Sequence, residues 1–132
     1  GVELGIESGA DLRDADLSDA KTSEMYQTPL RSLLLQTGKI TALKAVGKDG
    51  ITRFYNAYYE IGKSYEVKNA DTSDALCAPG LSVATLDWCL RECPGDKLLL
   101  VEFTANDIAS IPYNSDGKFR VHRFTVVGQY KP

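Results

Sequence analysis

Short runs of β-branched and aromatic residues, separated by turns that contain glycine, aspartate or asparagine, dominate the chain beyond residue 39. Runs of this composition and length are typical of β-strands, because branched and aromatic side chains pack well on a pleated surface. The sequence Gly47-Lys48-Asp49-Gly50 lies between two of them and is typical of a hairpin turn. We predict strands at residues 40–46, 51–59, 97–105 and 118–128, with two further short strands around Gly62 and Lys63.

Two short helices are predicted among these strands. Residues 28–38 begin with Thr28, a suitable N-cap, and place a proline at the first helical position. Residues 80–95 predict the end of a strand, followed by a helix that starts after Thr85 and stops at a Pro-Gly pair. The order of helix, strands, helix and strands predicts an α+β domain with a mostly antiparallel sheet and two short helices.

A different period occupies the N-terminal part of the chain. In "GADLRDADLSDA", residues 9–20, alanine, aspartate and leucine recur every five residues. A period of five fits neither a helix nor a strand, but it matches the A-(D/N)-L-x-x pattern of pentapeptide repeats. Two such units cannot bury the interior of a coil by themselves. We therefore expect a fragment of a pentapeptide-repeat coil, either cut from upstream coils or the last coil of a longer solenoid. An acidic leader with a chance repeat is the alternative.

The distribution of charge separates this N-terminal part from the rest of the chain. Residues 1–24 carry seven acidic and two basic side chains, whereas the remainder is close to neutral. The chain has 132 residues, of which 43% are hydrophobic, and this is enough for one compact core. We predict a pentapeptide-repeat remnant or leader at residues 1–24 and a single α+β domain at residues 25–132.

Composition argues against several classes of partner. The longest apolar run, Leu98–Val101, is far shorter than the roughly 20 residues that span a bilayer. The net charge of −3 lacks the basic excess of nucleic-acid-binding domains. Three cysteines, an odd number, in a sequence without a secretory signal pattern are typical of reduced thiols. We predict a cytoplasmic protein without membrane contact or cofactor, whose partner is another protein or a second copy of itself.

Four segments carry a resemblance to a known domain. "YYEIGKSYEV", "CAPGLSVATLDWCL", "LLVEFTANDIASIP" and "DGKFRVHRFTVVG" resemble an uncharacterised C-terminal domain of phage and bacterial proteins, which often follows pentapeptide repeats. The resemblance covers about residues 28–129 and agrees with the period of five in the leader. The resemblance implies which kind of domain this is, but that domain is uncharacterised, so the resemblance indicates no activity.

A weaker resemblance concerns the segment before the second predicted helix. Gly80-Leu81-Ser82-Val83 is similar to the "GIYF"-type strand of ADP-ribosyltransferase-like folds, which lies near a nicotinamide-binding cleft. Val83 stands where those enzymes commonly have an aromatic residue, and Glu102 on the following strand is the one candidate for their catalytic glutamate. This resemblance implies either an enzyme or an inert relative of that fold.

The last predicted strand contains a candidate anion-binding site. Side chains alternate along a strand, so Lys118, Arg120 and His122 share one face. The apolar residues are odd-numbered before Arg123 and mostly even-numbered after it. We interpret that change as a bulge or as a strand covered on both faces. Lys118, Arg120 and Arg123 are the candidate residues for binding an anion or a phosphate backbone, and a solvated strand edge is the alternative.

Three tyrosines form a candidate recognition surface. Tyr55, Tyr58 and Tyr59 lie close together in a predicted strand. Tyrosine combines a large apolar ring with a polar hydroxyl, which suits recognition. Packing between neighbouring strands explains the same residues without a ligand.

The cysteines and the single histidine form a weak candidate for a metal site. Cys89 and Cys93 are four residues apart and share one face of the second predicted helix. With Cys77 and His122 they make a Cys3His set of the kind that binds zinc. Core packing of the thiols and a neutral strand histidine are the alternative, which we favour because Cys77 lacks a neighbouring ligand.

These patterns together predict a binding or assembly module of a pentapeptide-repeat protein, without an evident catalytic constellation. An enzyme of ADP-ribosyltransferase-like fold is the first alternative. A nucleic-acid-associated accessory protein that acts through Lys118, Arg120 and Arg123 is the second.

Overall fold

The computed structural model describes residues 30, 33, 35–52 and 57–131. The period-five stretch, with the predicted remnant at residues 1–24, lies outside the described residues, as does most of the predicted helix at residues 28–38. Of that helix, Leu30 and Leu33 are described. Both have helical backbone and are buried.

The described chain forms a seven-stranded antiparallel sheet and one α-helix, so the predicted α+β class with a mostly antiparallel sheet is confirmed. The strands are β1 (Lys39–Val46), β2 (Ser64–Glu66), β3 (Leu81–Ala84), β4 (Lys97–Thr104), β5 (Ile108–Ser110), β6 (Lys118–Val121) and β7 (Arg123–Gln129). The helix α1 spans Leu86–Glu92, and a short 3-10 helix spans Ala105–Asp107. Within the described part, no helix is long and apolar enough to cross a membrane.

The sheet curls upon itself. Its strand order is β2-β7-β4-β1-β3-β6-β5, so β7 and β6 stand four strand spacings apart, which is about 19 Å in a flat sheet. Yet only His122 separates the two strands along the chain, and this limits their ends to about 7 Å. Strands β6 and β7 are therefore two halves of one long bent strand that closes β1, β3 and β4 into a small barrel.

Alternation along the strands divides the apolar residues into two clusters. Alternate residues of β1 and β4, such as Ile40, Ala42 and Val101, point into the barrel, where Phe119 and Phe124 join them. The opposite faces of the same strands contribute Leu43 and Leu98 to a second cluster beneath α1. One face of the sheet thus encloses the core, and the other carries the helix.

A close approach between the loop before β6 and the start of α1 depends on glycine. Gly117 has φ +148°, and a Cβ at this position would lie 2.6 Å from the Cβ of Trp88. Its carbonyl oxygen accepts a hydrogen bond from the backbone N–H of Thr85, the predicted and observed N-cap of α1. This contact places Trp88, and Lys118, which follows Gly117, beside the end of β3.

The prediction of a strand at residues 51–59 is wrong for the residues that the structure describes there. Ile51 and Tyr58 form a single isolated bridge, and residues 57–60 have no ladder of strand hydrogen bonds. The physical reason is that this segment bonds within its own loop. The Ile51 carbonyl oxygen accepts from the Gly47 N–H, and the Thr52 N–H donates to the Ala57 carbonyl oxygen. Of the two short strands predicted around Gly62, the one after it forms β2.

The last predicted strand, residues 118–128, is interrupted at the point where the alternation of apolar residues shifts. His122 falls between β6 and β7, one residue before Arg123. Its backbone N–H donates to the Asp107 carbonyl oxygen, and its own carbonyl oxygen accepts from the Val67 N–H. The chain thus passes from one wall of the barrel to the other at this bend. Because the bend shifts the alternation of side chains by one residue, odd-numbered residues before it and even-numbered residues after it are apolar and buried.

Candidate functional site

The ladder between β1 and β3 ends after a single pair, and a cleft opens there. Strand β1 pairs with β4 over eight residues, but with β3 only at Leu43 and Ala84. The next residue, Lys44, lies on the same face of β1 as Ile40 and Ala42, the face that points into the barrel. Its Nζ donates a hydrogen bond to the Ser82 carbonyl oxygen at 2.7 Å. A lysine ammonium thus spans the gap where a backbone hydrogen bond would continue the sheet.

We name this opening the Lys44 cleft. It encloses about 200 Å³, a volume below the roughly 300–1,000 Å³ of sites for drug-sized ligands. Apolar residues, most of them small, provide much of its wall, and polar and charged side chains stand among them, a combination typical of small-molecule sites. Its lining includes Lys44, Tyr59, Ser82, Trp88, Asp96 and Lys118.

Two basic side chains, Lys44 and Lys118, share this cleft with one carboxylate, Asp96. Burial, together with the positive charge of Lys118, lowers the pKa of Lys44 to about 8. The ring of Tyr59, with its centroid 5.7 Å away, offers the ammonium a cation–π contact. The partly buried ammonium of Lys44 therefore contacts a carbonyl oxygen and an aromatic face.

The Cys89 thiol next to Lys44 supplies no negative charge at neutral pH. Cys89 is 1% exposed on α1, and burial raises its pKa to about 12. A protonated thiol in an apolar setting behaves as a small hydrophobic side chain. Cys89 therefore packs in the cluster beneath α1.

We expect the cysteines to differ sharply in reactivity, because the thiolate is the reacting species. With iodoacetamide near pH 8, exposed Cys77 is modified at least tenfold faster than Cys89, which reacts only after unfolding in denaturant. Peptide mass mapping of a time course measures both rates in the same sample. Equal rates at the two cysteines in the native protein would contradict the burial described here.

No protein-family model, curated protein or solved structure matches this chain. The function is therefore argued from the side chains of the site, since a fold by itself does not specify an activity.

The three residues predicted to bind an anion lie in different places. Arg120 is 1% exposed, and its guanidinium donates to the backbone carbonyl oxygens of Asp71, Ser73 and Ala75. Arg123 is exposed and lines a separate depression with Lys39 and Glu102. Lys118 lines the Lys44 cleft. The structure therefore does not assemble a basic strand face, and Arg120 instead anchors the loop before β3.

The predicted tyrosine surface is also divided. Tyr55 lies outside the described residues, and Tyr58 is 56% exposed beside Gly50. Tyr59 packs edge-on against Tyr65 and Phe124, with ring centroids 4.8 and 5.4 Å apart. Tyr59 thus links the core to the Lys44 cleft.

The weak metal candidate is not gathered into one cluster. Over the described residues, no group of three or more His, Cys, Asp or Glu side chains is placed to hold a metal ion. Cys77 is exposed near Lys118, with Nζ and Sγ 3.5 Å apart. The Nδ1 atom of His122 lies 3.4 Å from the Val67 carbonyl oxygen. Cys89 belongs to the cluster beneath α1.

Sequence reasoning missed Lys44, although the sequence contains a signal for it. Residues 40, 42, 44 and 46 share one face of β1, and three of them are apolar while the fourth is lysine. Lysine is rarely placed on an interior face unless its charge has a role or a partner. The interruption of a core-facing pattern by a single lysine is therefore the feature that indicates this site.

Proposed function

We propose that this domain is a binding module that holds a small anionic molecule in the Lys44 cleft. The supporting observation is the partly buried ammonium of Lys44, which has Lys118 as a like-charged neighbour in a cleft that one carboxylate, Asp96, also lines. Two cations that face the same cleft repel each other, and an anion between them relieves that repulsion while it replaces lost hydration. The small volume favours a ligand of a few non-hydrogen atoms.

Isothermal titration calorimetry with inorganic pyrophosphate tests this proposal. We expect saturable binding that weakens at least tenfold in Lys44→Met and in Lys118→Ala. Lys68→Met removes the same charge from an exposed site outside the cleft, so it should bind as the unchanged protein does. Binding that is absent, or that falls equally in all three variants, would rule out a site in the Lys44 cleft. Melting curves of each variant establish that the fold is retained.

A second candidate function is an ADP-ribosyltransferase-like activity. The Lys44 cleft is lined by Thr52 and Tyr59 on one side and by Gly80 and Ser82 on the other. The resemblance places a nicotinamide cleft beside that second segment. Glu102, however, lines a separate depression, where its carboxylate lies 3.5 Å from Lys39 Nζ. Calorimetric titration with NAD distinguishes the candidates: saturable binding lost in Ser82→Trp favours the transferase, and no heat with NAD excludes it.

We further propose that the module is carried by a pentapeptide-repeat protein in the cytoplasm and contacts a protein partner or a second copy. This part rests on residues 9–20 and on the four segments that carry the resemblance.

A further inference from the structure

The amine of Lys44 is held in a way that leaves it available for a bond to carbon. Within the described part of the chain, its Nζ makes one hydrogen bond, which it donates to the Ser82 carbonyl oxygen. A neutral amine carries two N–H bonds and one lone pair, so this contact occupies an N–H and leaves the lone pair unused. The nitrogen lines an open cleft, with Gly80 and Ser82 beside it.

The surroundings of Lys44 also favour the neutral amine over the ammonium. The other titratable side chains that line the cleft are Tyr59, Cys89, Cys93 and Asp96. The two cysteines act to raise the pKa of Lys44, but burial and the charge of Lys118 outweigh them and bring that pKa to about 8. A substantial fraction of Lys44 is therefore unprotonated in mildly alkaline solution, whereas an ordinary exposed lysine is almost entirely charged there.

We propose that Lys44 Nζ forms a reversible imine with a small carbonyl compound that bears a negative charge, an aldehyde or an α-keto acid. The proposal rests on the proposed anion binding for the selection of charged ligands. The geometry that supports it is the hydrogen-bonded amine at the cleft wall and the second amine, Lys118, on the same cleft. Buried lysines of this kind serve as Schiff-base residues in proteins.

The reaction balances without any further reagent. The ammonium of Lys44 first loses a proton to water, and the nitrogen lone pair then attacks the carbonyl carbon to give a carbinolamine. The carbonyl oxygen takes up a proton and leaves as water, while nitrogen loses its second hydrogen and the carbon–nitrogen double bond forms. Hydrolysis runs the same steps in reverse, so the bond is reversible. In this scheme Lys118 attracts the carboxylate of the ligand.

Glyoxylate, an anionic aldehyde, is the probe that tests this inference. Sodium cyanoborohydride reduces any imine to a stable N-carboxymethyl amine, which peptide mass mapping locates on a particular lysine. We expect Lys44 to be modified at least tenfold faster than Lys68, an exposed lysine of the same protein, in mildly alkaline buffer. Modification spread evenly over the lysines, or faster at Lys68, would overturn the proposal.

Parallel measurements of pyrophosphate binding and of the glyoxylate adduct on the unchanged protein separate this inference from the proposed function. Lys44→Arg keeps a positive charge and cannot form an imine, so we expect this variant to lose the selective adduct. Pyrophosphate binding by the unchanged protein without a selective adduct on Lys44 refutes the imine and leaves anion binding standing. A selective glyoxylate adduct without pyrophosphate binding supports the imine and refutes the proposed binding of inorganic anions. Thermal melting of the arginine variant verifies that the cleft region remains folded.

Discussion

Replacement of Arg120 by methionine is expected to destabilise the protein by about 3 kcal/mol or more. The guanidinium is 1% exposed and donates to the carbonyl oxygens of Asp71 at 2.9 Å and Ser73 at 2.6 Å, and to that of Ala75. Methionine fills much of the same space but donates nothing, so the carbonyl oxygens of Asp71 and Ala75 lose the guanidinium, while that of Ser73 keeps the hydrogen bond from the Ser110 hydroxyl. Each buried acceptor without a partner costs about 1–3 kcal/mol unless water reaches it. The loop is therefore expected to open and admit water.

Urea denaturation and thermal melting measure this effect. A loss of about 3 kcal/mol corresponds to a fall of roughly 10 °C in Tm for a domain of this size. Arg123→Met serves as the control, since Arg123 is exposed on the following strand, and its effect should stay within about 0.5 kcal/mol. Arg120→Lys should lose nearly as much stability as Arg120→Met, because one ammonium does not reproduce the guanidinium fork. Equal stability of the Arg120 and Arg123 variants would contradict the anchoring role.

Hydrogen exchange gives a second, local readout of the same substitution. The Asp71 N–H donates to the Pro79 carbonyl oxygen across the base of the loop. If Arg120 holds the loop closed, exchange at Asp71 should accelerate in Arg120→Met while the amides that join β1 to β4 stay protected. Because Ala78 and Gly80 line the Lys44 cleft, loosening of the loop should also weaken pyrophosphate binding.

The fold could be predicted from the sequence wherever a local pattern decides the structure. Residues 40–46 form a strand because branched and apolar residues alternate along them, and α1 starts after Thr85 and stops before a Pro-Gly pair. The segment at residues 51–59 has strand-like composition, but pairing requires a free edge. In the structure, Ile51 and Thr52 instead form hydrogen bonds within their own loop, with Gly47 and Ala57. Composition alone cannot report that competition.

The same limit applies to the site. The alternation of Lys118, Arg120 and His122 indicates a basic, solvated strand face, and nothing local indicates that residues 71–75 cover Arg120. The cover comes from a loop more than forty residues earlier, whose carbonyl oxygens accept hydrogen bonds from the guanidinium. The inward position of Lys44 could have been predicted, because it follows from the alternation of residues within β1. The cleft itself could not, because it results from the early end of the β1–β3 ladder.

Replacement of Lys44 by methionine is expected to stabilise the protein at neutral pH by about 1–3 kcal/mol. The pKa of Lys44 falls from 10.5 to about 8 on folding, and each unit of such a shift corresponds to about 1.4 kcal/mol against the charged form. Methionine has a similar length and no charge to desolvate, so it removes this cost. It also gives up the hydrogen bond to the Ser82 carbonyl oxygen and the contact with Tyr59, and these losses reduce the gain to the lower part of the range.

The dependence on pH identifies the lysine as the source of the effect. Below pH 8 both the folded and the unfolded protein hold the Lys44 proton, so the advantage of Lys44→Met is constant and maximal there. Between about pH 8 and 10.5 the unfolded chain keeps the proton and the folded protein releases it, so the stability of the unchanged protein rises relative to the variant. Cys89, whose pKa is raised from 9.0 to about 12, acts in the opposite direction above pH 9. Its effect is present in both proteins and cancels in their difference to a first approximation.

Urea titrations of the two proteins across this pH range, with Lys68→Met as the control, provide the measurement. The stability difference should narrow steadily above pH 8 for Lys44→Met and stay near zero for Lys68→Met. A difference that does not vary with pH would mean that Lys44 titrates like an exposed lysine. If the charge of Lys44 lowers the stability of the protein, packing does not explain why a lysine occupies this position. If the stabilised methionine variant also fails to bind pyrophosphate, the same substitution connects that loss of stability to the proposed binding site.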